Sequence, residues 1–341
     1  MSKKSLVTGI TGQDGSYMAE YLLDNGYEVW GMNRRKSVPN NDNIAGIIDK
    51  IHLAQGDLND AASIRKLVDM GFDEIYNLGA QSFVKSSFDE PYYTFSSNAV
   101  GVLTFLEAIR QGSPHTKFYQ ASTSEMFGGI DAPPFNEDSK FHPRSPYGVA
   151  KLAAYWMVRN YREAYGLRCC SGILFNHESK RRGKVFVTRK ICDYVKEYKA
   201  ACERGEYISP LELGNLEACR DWAHAKDMVR GMHMILTGQD DSKPMKDYVL
   251  ATGVTRKVRD FIEVAFKLGA GIDIEWVRKD TPESEIGVAQ DTKVIVVCIN
   301  PEFYRPSEVN VLIGDATRAR RELRWTPQMS FEDMVQEMLE D

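Results

Sequence analysis

Short apolar runs alternate with amphipathic stretches through the first half of the chain. The spacing predicts strands over residues 5–10, 28–33, 51–54, 74–78, 117–121 and 168–175. Between them, apolar positions recur at helical spacing over 17–25, 61–70, 95–110 and 147–165. Gly26 follows the first helix, where a left-handed C-cap is expected. Strands that alternate with helices imply right-handed βαβ units and a parallel sheet. After about residue 176 the pattern turns irregular, with short elements separated by breakers such as Ser209-Pro210 and Pro306. The reading is an α/β protein: a Rossmann-type doubly wound parallel sheet over 1–175 and a smaller mixed α/β substrate-binding domain over 176–341. The chain is expected to return to the first domain around 220–255.

Composition narrows the partners. The 341 residues carry a formal net charge of −5, which disfavours nucleic acid or a membrane surface held by global charge. No run of 18 apolar residues is present, and the N-terminal residues pass straight into a strand without a signal-peptide core. Six cysteines include no Cys-x-x-Cys pair, and six histidines no His-x-x-x-His pair. The expectation is a reducing, cytoplasmic setting with no disulfide framework and no metal.

The first strand-to-helix turn reads Gly9-Ile-Thr-Gly12-Gln-Asp-Gly15. In that context, backbone N–H groups at a helix N-terminus can meet a pyrophosphate; a tight turn packed for fold reasons is the alternative. The second strand ends at Arg34-Arg35, where enzymes that use NAD usually place an acid. Guanidinium forks suit a 2′-phosphate, so NADP is favoured over NAD. Asp57, after the third strand, is a candidate for the adenine amine or an ordinary Gly-Asp turn.

Tyr147 and Lys151 stand one turn apart at the start of a predicted helix. A lysine at that spacing can stabilise a phenolate, so that Tyr147 accepts a carbinol proton as hydride leaves for a nicotinamide. The fifth strand ends in Ala121-Ser-Thr-Ser-Glu125, at the edge where open α/β sheets bind ligands. A plain alcohol dehydrogenase needs only a hydroxyl there. Glu125 adds a base able to take the proton α to a new ketone and so drive elimination of a β-hydroxyl; a carboxylate stabilising a helix N-terminus is the alternative.

These residues resemble the extended short-chain dehydrogenase/reductase family, and within it the branch that dehydrates GDP-mannose. The similarity runs through 8–17, 34–35, 122–125, 143–147, 173–179, 186–190, 220–227 and 305–308, nearly the whole chain. Asn176-His177-Glu178-Ser179 and Arg220-Asp221-Trp222 separate it from dehydratases of dTDP- or UDP-sugars. The resemblance implies NADP-dependent conversion of GDP-mannose to GDP-4-keto-6-deoxymannose, by C4 oxidation, 5,6-elimination of water and hydride return to C6. Thr123, Glu125, Tyr147 and Lys151 are the implied catalytic positions. Gly9, Gly12, Gln13, Asp14, Gly15, Arg34, Arg35, Asp57, Leu58, Tyr147, Lys151, His177 and Arg182 are implied for NADP. Ser87, Asn176, Lys190, Arg220, Arg305 and Glu308 are implied for the GDP-sugar. A homotetramer is implied, with a dimer through the 95–110 and 147–165 helices as fallback. Departures from the family pattern are Gly79, Phe83, Lys85 and Ser307. Competing readings are an NADP-dependent epimerase or reductase, and a nonenzymatic NADP sensor. A further expectation is NADPH-dependent reduction at C4 to GDP-6-deoxy-D-mannose.

Overall fold

A computed structural model describes residues 2–340 other than 36, 39, 129–132, 279–280, 282–283 and 305–306. Six strands open the chain: β1 (Lys4–Thr8), β2 (Glu28–Asn33), β3 (His52–Gln55), β4 (Glu74–Asn77), β5 (Lys117–Thr123) and β6 (Cys169–Leu174). With Tyr248–Leu250 they form one seven-stranded sheet, ordered Tyr248–Leu250, β6, β5, β4, β1, β2, β3. Every pairing in it is parallel.

Parallel strands covered on both faces read as continuous apolar runs because both side-chain sets are buried. Leu6, Ile75 and Phe118 face the helices Ala61–Val68, Gly101–Gly112 and Pro146–Tyr165. Their neighbours Val7, Tyr76 and Tyr119 face Gln13–Asp24 and Ala225–Thr237. The edge strand Tyr248–Leu250 is pinned by a buried ion pair. Arg162 grips Asp247 at 3.0 and 2.8 Å, and Asp247 also accepts from the Ser171 backbone N–H at 2.7 Å.

A second core holds Ile191, Val195, Trp222, Phe261, Phe266 and Val335. It lies among Val187–Arg204, Val258–Ala270, Phe331–Leu339 and a four-stranded sheet ordered Ile274–Val277, Ile286–Ala289, Ile295–Ile299, Leu211–Leu213. Two short pairings are formed: parallel Asn176–Glu178 with Trp222–His224, and antiparallel Cys219–Arg220 with Arg256–Lys257.

Two predicted helices begin earlier than expected. The first runs Gln13–Asp24 because the glycine turn itself forms its N-terminus. The 95–110 prediction is one segment of a longer path: Pro91–Phe95, a π-helical stretch Ser96–Val100, then Gly101–Gly112. Pro91 starts that path, where its missing N–H costs nothing. Gly101 within it lets Leu58 come close, since a Cβ there would lie 2.8 Å from Leu58 O.

Candidate active site

A cleft of about 770 Å³ opens at the carboxyl ends of the sheet strands and extends to the second core. Its floor is the turn after β1. Gly9 has φ of +66°, and a Cβ on it would lie 2.9 Å from Gly79 Cα. A Cβ on Gly15 would overlap Gly9 O. The turn therefore needs glycine twice: once for a left-handed backbone, once so that the helix can start against the strand. Gly12 N donates to Gly9 O at 2.9 Å, and no side chain caps the helix at Gly12.

The residues beside this turn bind one another. Asp14 Oδ2 faces His177 Nε2 at 2.9 Å, while His177 Nδ1 faces Phe175 O at 2.8 Å. Both ring nitrogens meet acceptors, so the imidazolium form satisfies both. Burial disfavours that charge, but the Asp14 carboxylate outweighs it and raises His177 above its ordinary pKa. Burial likewise opposes ionisation of Asp14, and His177 overcomes it, holding the carboxyl down at about 2. Gln13 adds a bond to His177 O at 3.2 Å and accepts from Ser179 Oγ at 2.9 Å. The first helix is thus fastened to Asn176–Glu178. Arg181 strengthens the joint through Ser16, Glu20 and the Tyr17 ring. Arg182 lines the cleft, pairs with Glu178 at 3.0 Å and lies over Phe186.

The helix Pro146–Tyr165 brings Tyr147 and Lys151 into the cleft. Ser145 caps it, accepting from Gly148 N at 3.0 Å. Gly148 lets it approach the turn Ser124–Met126, since a Cβ there would lie 2.9 Å from Glu125 O. Thr123, Glu125, Tyr147 and Lys151 all line the cleft and are buried. The expected depression of the Tyr147 phenol is not what the chain alone produces. Burial pushes it up to about 12, with a Thr123 hydrogen bond opposing and the Glu125 charge adding to the rise. Lys151 does not offset this rise. Its Nζ stands 5.9 Å from the Tyr147 ring centroid and donates to Ala121 O at 2.9 Å. Burial in turn brings Lys151 down to about 8.

The outer half of the cleft is lined by Asn176, Lys190, Arg220 and Glu308. Arg220 is buried and donates to Cys219 O and Val309 O. Lys190 and Lys85 approach one aromatic ring, Phe303, at 5.4 and 5.3 Å.

A family model described as GDP-mannose 4,6 dehydratase matches residues 6–338. The chain belongs to the GDP-mannose 4,6 dehydratase family. A GDP-mannose 4,6 dehydratase of Drosophila melanogaster is 47% identical over 348 residues, covering 99% of this chain and 85% of that one. One of Sinorhizobium fredii is 48% identical over 349 residues, covering 99% and 96%. Among solved structures, the dTDP-glucose 4,6-dehydratase DesIV of Streptomyces venezuelae superposes with a TM-score of 0.79 at 22% identity, over 98% of this chain and 95% of that one. That likeness concerns the fold.

Family membership leaves individual residues to be located. Gly9, Gly12, Gln13, Asp14, Gly15, Arg34, Asp57, Leu58, His177 and Arg182 all line the cleft. Arg34 is exposed and donates to Tyr93 Oη at 2.6 Å, a partner that no local pattern announced. Arg35 is exposed and outside the lining, and Ser87 is fully buried, its Oγ donating to Val84 O at 2.6 Å. Arg305 lies outside the described residues. Of the departures noted in this dehydratase sequence, Gly79, Phe83 and Lys85 line the cleft and Ser307 lies outside its lining. Phe83 packs edge-on against Phe186, Lys85 donates to Glu302 O at 3.1 Å, and Arg144 donates to Ser307 Oγ at 2.8 Å. Phe186 and Phe303 were not legible as cleft residues, because an aromatic near a turn looks the same in sequence whether it packs inward or lines a site.

Proposed function

We propose that this protein dehydrates GDP-mannose to GDP-4-keto-6-deoxymannose with NADP held in the inner half of the cleft. The observation behind this is the meeting of Tyr147, Lys151, Thr123 and Glu125 beside a glycine turn that leaves room for a dinucleotide. The turn at Gly9–Gly15, Asp57 and Leu58 would hold the dinucleotide, and Arg34 the 2′-phosphate. When bound, the oxidised nicotinamide supplies a hydride acceptor and a positive charge that favours ionised Tyr147. Tyr147, hydrogen-bonded to Thr123, takes the proton of the sugar C4 hydroxyl as that carbon is oxidised. Glu125 takes the C5 proton, acidified by the new ketone, and delivers it to the departing 6-hydroxyl, so that one water leaves and a 5,6-double bond forms; the hydride removed from C4 would then return to C6 and a proton to C5, so that no net redox change remains. Asn176, Lys190 and Arg220 suit a diphosphate, and Glu308 a ribose diol.

The purified protein should convert GDP-mannose to a product lighter by one water without added NADPH. Tyr147→Phe should lose on the order of 10²–10⁴ in turnover. Glu125→Gln should still show transient absorbance of reduced cofactor but accumulate little dehydrated product. Full dehydration by Glu125→Gln would place the base elsewhere. A dependence on stoichiometric NADPH would favour the reductase reading. The same site, given exchangeable NADPH, contains what C4 reduction of the product needs; a second product heavier by two hydrogens is the sign to look for.

Assembly belongs to the same proposal. Tyr92, Val149, Trp156 and Tyr165 leave large apolar surfaces exposed on the neighbouring helices Pro91–Phe95 and Pro146–Tyr165. That supports a dimer through these helices, two of which would build the expected homotetramer. All six cysteines are free thiols, which fits a cytoplasmic setting. Among the described residues no helix is long and apolar enough to cross a membrane.

A further inference from the structure

Under the cleft floor, three buried polar side chains join into one directed chain. Gly79 N donates to Thr8 Oγ1 at 2.9 Å, and Thr8 Oγ1 donates to Asn77 Oδ1 at 2.7 Å. Asn77 Nδ2 donates to Gln120 Oε1 at 2.8 Å, and Gln120 Nε2 donates to Ala121 O at 2.8 Å. Ala121 O is also the acceptor of Lys151 Nζ, at 2.9 Å. Thr8, Asn77 and Gln120 are each no more than 1% exposed.

From this geometry we infer that Thr8, Asn77 and Gln120 are positioning residues for the dehydration: they set where the Lys151 ammonium stands. A backbone N–H at one end can only donate and a backbone carbonyl at the other can only accept, so every link has one possible direction. Neither amide can flip without breaking two bonds while buried, which is costly. The ladder runs across β1, β4 and β5 where regular pairing stops. The β4–β5 register ends at Asn77 opposite Gln120, and Ala121 lies one residue beyond. It starts at Gly79, the residue against which Gly9 packs most closely. The glycine turn and Lys151 are therefore registered to each other through side chains, not only through the sheet. Buried apolar side chains of similar size would fill the same space but would hold no carbonyl in place for the ammonium. Displacements of an ångström at a reacting centre are enough to cost large factors in rate. The inference rests on Lys151 belonging to the oxidising site, as proposed above.

The test separates stability from turnover. Gln120→Met removes the middle of the ladder and leaves Asn77 without its acceptor, so both melting temperature and kcat should fall. Asn77→Leu combined with Gln120→Met leaves no orphaned amide. It should regain melting temperature relative to Gln120→Met while kcat stays about tenfold or more below wild type, with KM for GDP-mannose within about twofold. The pH profile of kcat should shift in the double variant, because the environment of Lys151 has changed. Recovery of kcat together with stability, with an unshifted profile, would show that the ladder is only a packing device. If the double variant does not fold, Thr8→Val, which leaves Gly79 N and Asn77 Oδ1 without their Thr8 partner, is judged on the pH profile: a reduced kcat with a shifted profile supports positioning, and an unshifted profile overturns it. Lys151→Met is the control for the underlying reading. If it keeps wild-type turnover, that reading has failed whatever the ladder variants do.

Discussion

Lys151 shows how one side chain is set by competing terms. Its ammonium is buried, and burial lowers it to about 8 from the usual 10.5. A lysine depressed in the folded state burdens the fold wherever it is still charged. Between about pH 8 and 10.5 the unfolded chain binds the extra proton, so this group's contribution to stability improves as pH rises through that window. Lys151→Met should therefore stabilise the unloaded protein at pH 6–7, by at most roughly 3 kcal/mol, while removing turnover. The advantage should shrink as the pH rises from 8 to 10.5. Thermal melts of both proteins across that range measure it, and a constant difference would mean that the depressed lysine is not the cause. Tyr147 has the opposite sign: raised to about 12, it favours the fold below pH 10, and that support is lost as pH climbs through 12.

At the scale of elements, the turn between β1 and the helix Gln13–Asp24 decides the inner cleft. Gly15→Ala would drive a methyl into Gly9 O. Backbone must move to relieve it, so NADP binding should weaken by at least tenfold and the melting temperature should fall. Fluorescence titration with NADPH and a thermal melt check both; unchanged affinity would show that the turn tolerates displacement. This turn was legible in sequence because glycine spacing after an apolar run has few other uses. The junction of Asp14 and His177 was legible only as two separate candidates. They are 163 positions apart, and nothing local says that one will neutralise the other. Asn77 and Gln120 were not legible at all, since their strands also carry Glu74, Lys117, Ser122 and Thr123 and nothing local sets the two amides apart.

At the scale of the whole molecule, two cores meet along the cleft, and the outer helices keep apolar surface in contact with water. Trp156→Asp places a charge in the centre of the proposed dimer face. It should lower the assembly state in sedimentation or light scattering without changing the circular dichroism spectrum. An unchanged mass would direct attention to another face. The parallel sheet and its helices were readable from the sequence because apolar period, breaker residues and glycine spacing are local properties, each dictated by backbone geometry; the family was readable only through the resemblance of its motifs. The height of Lys151, the raised phenol of Tyr147 and the seclusion of Ser87 were not. Burial and hydrogen-bond direction depend on what the chain brings from far away, and only the folded arrangement supplies those neighbours.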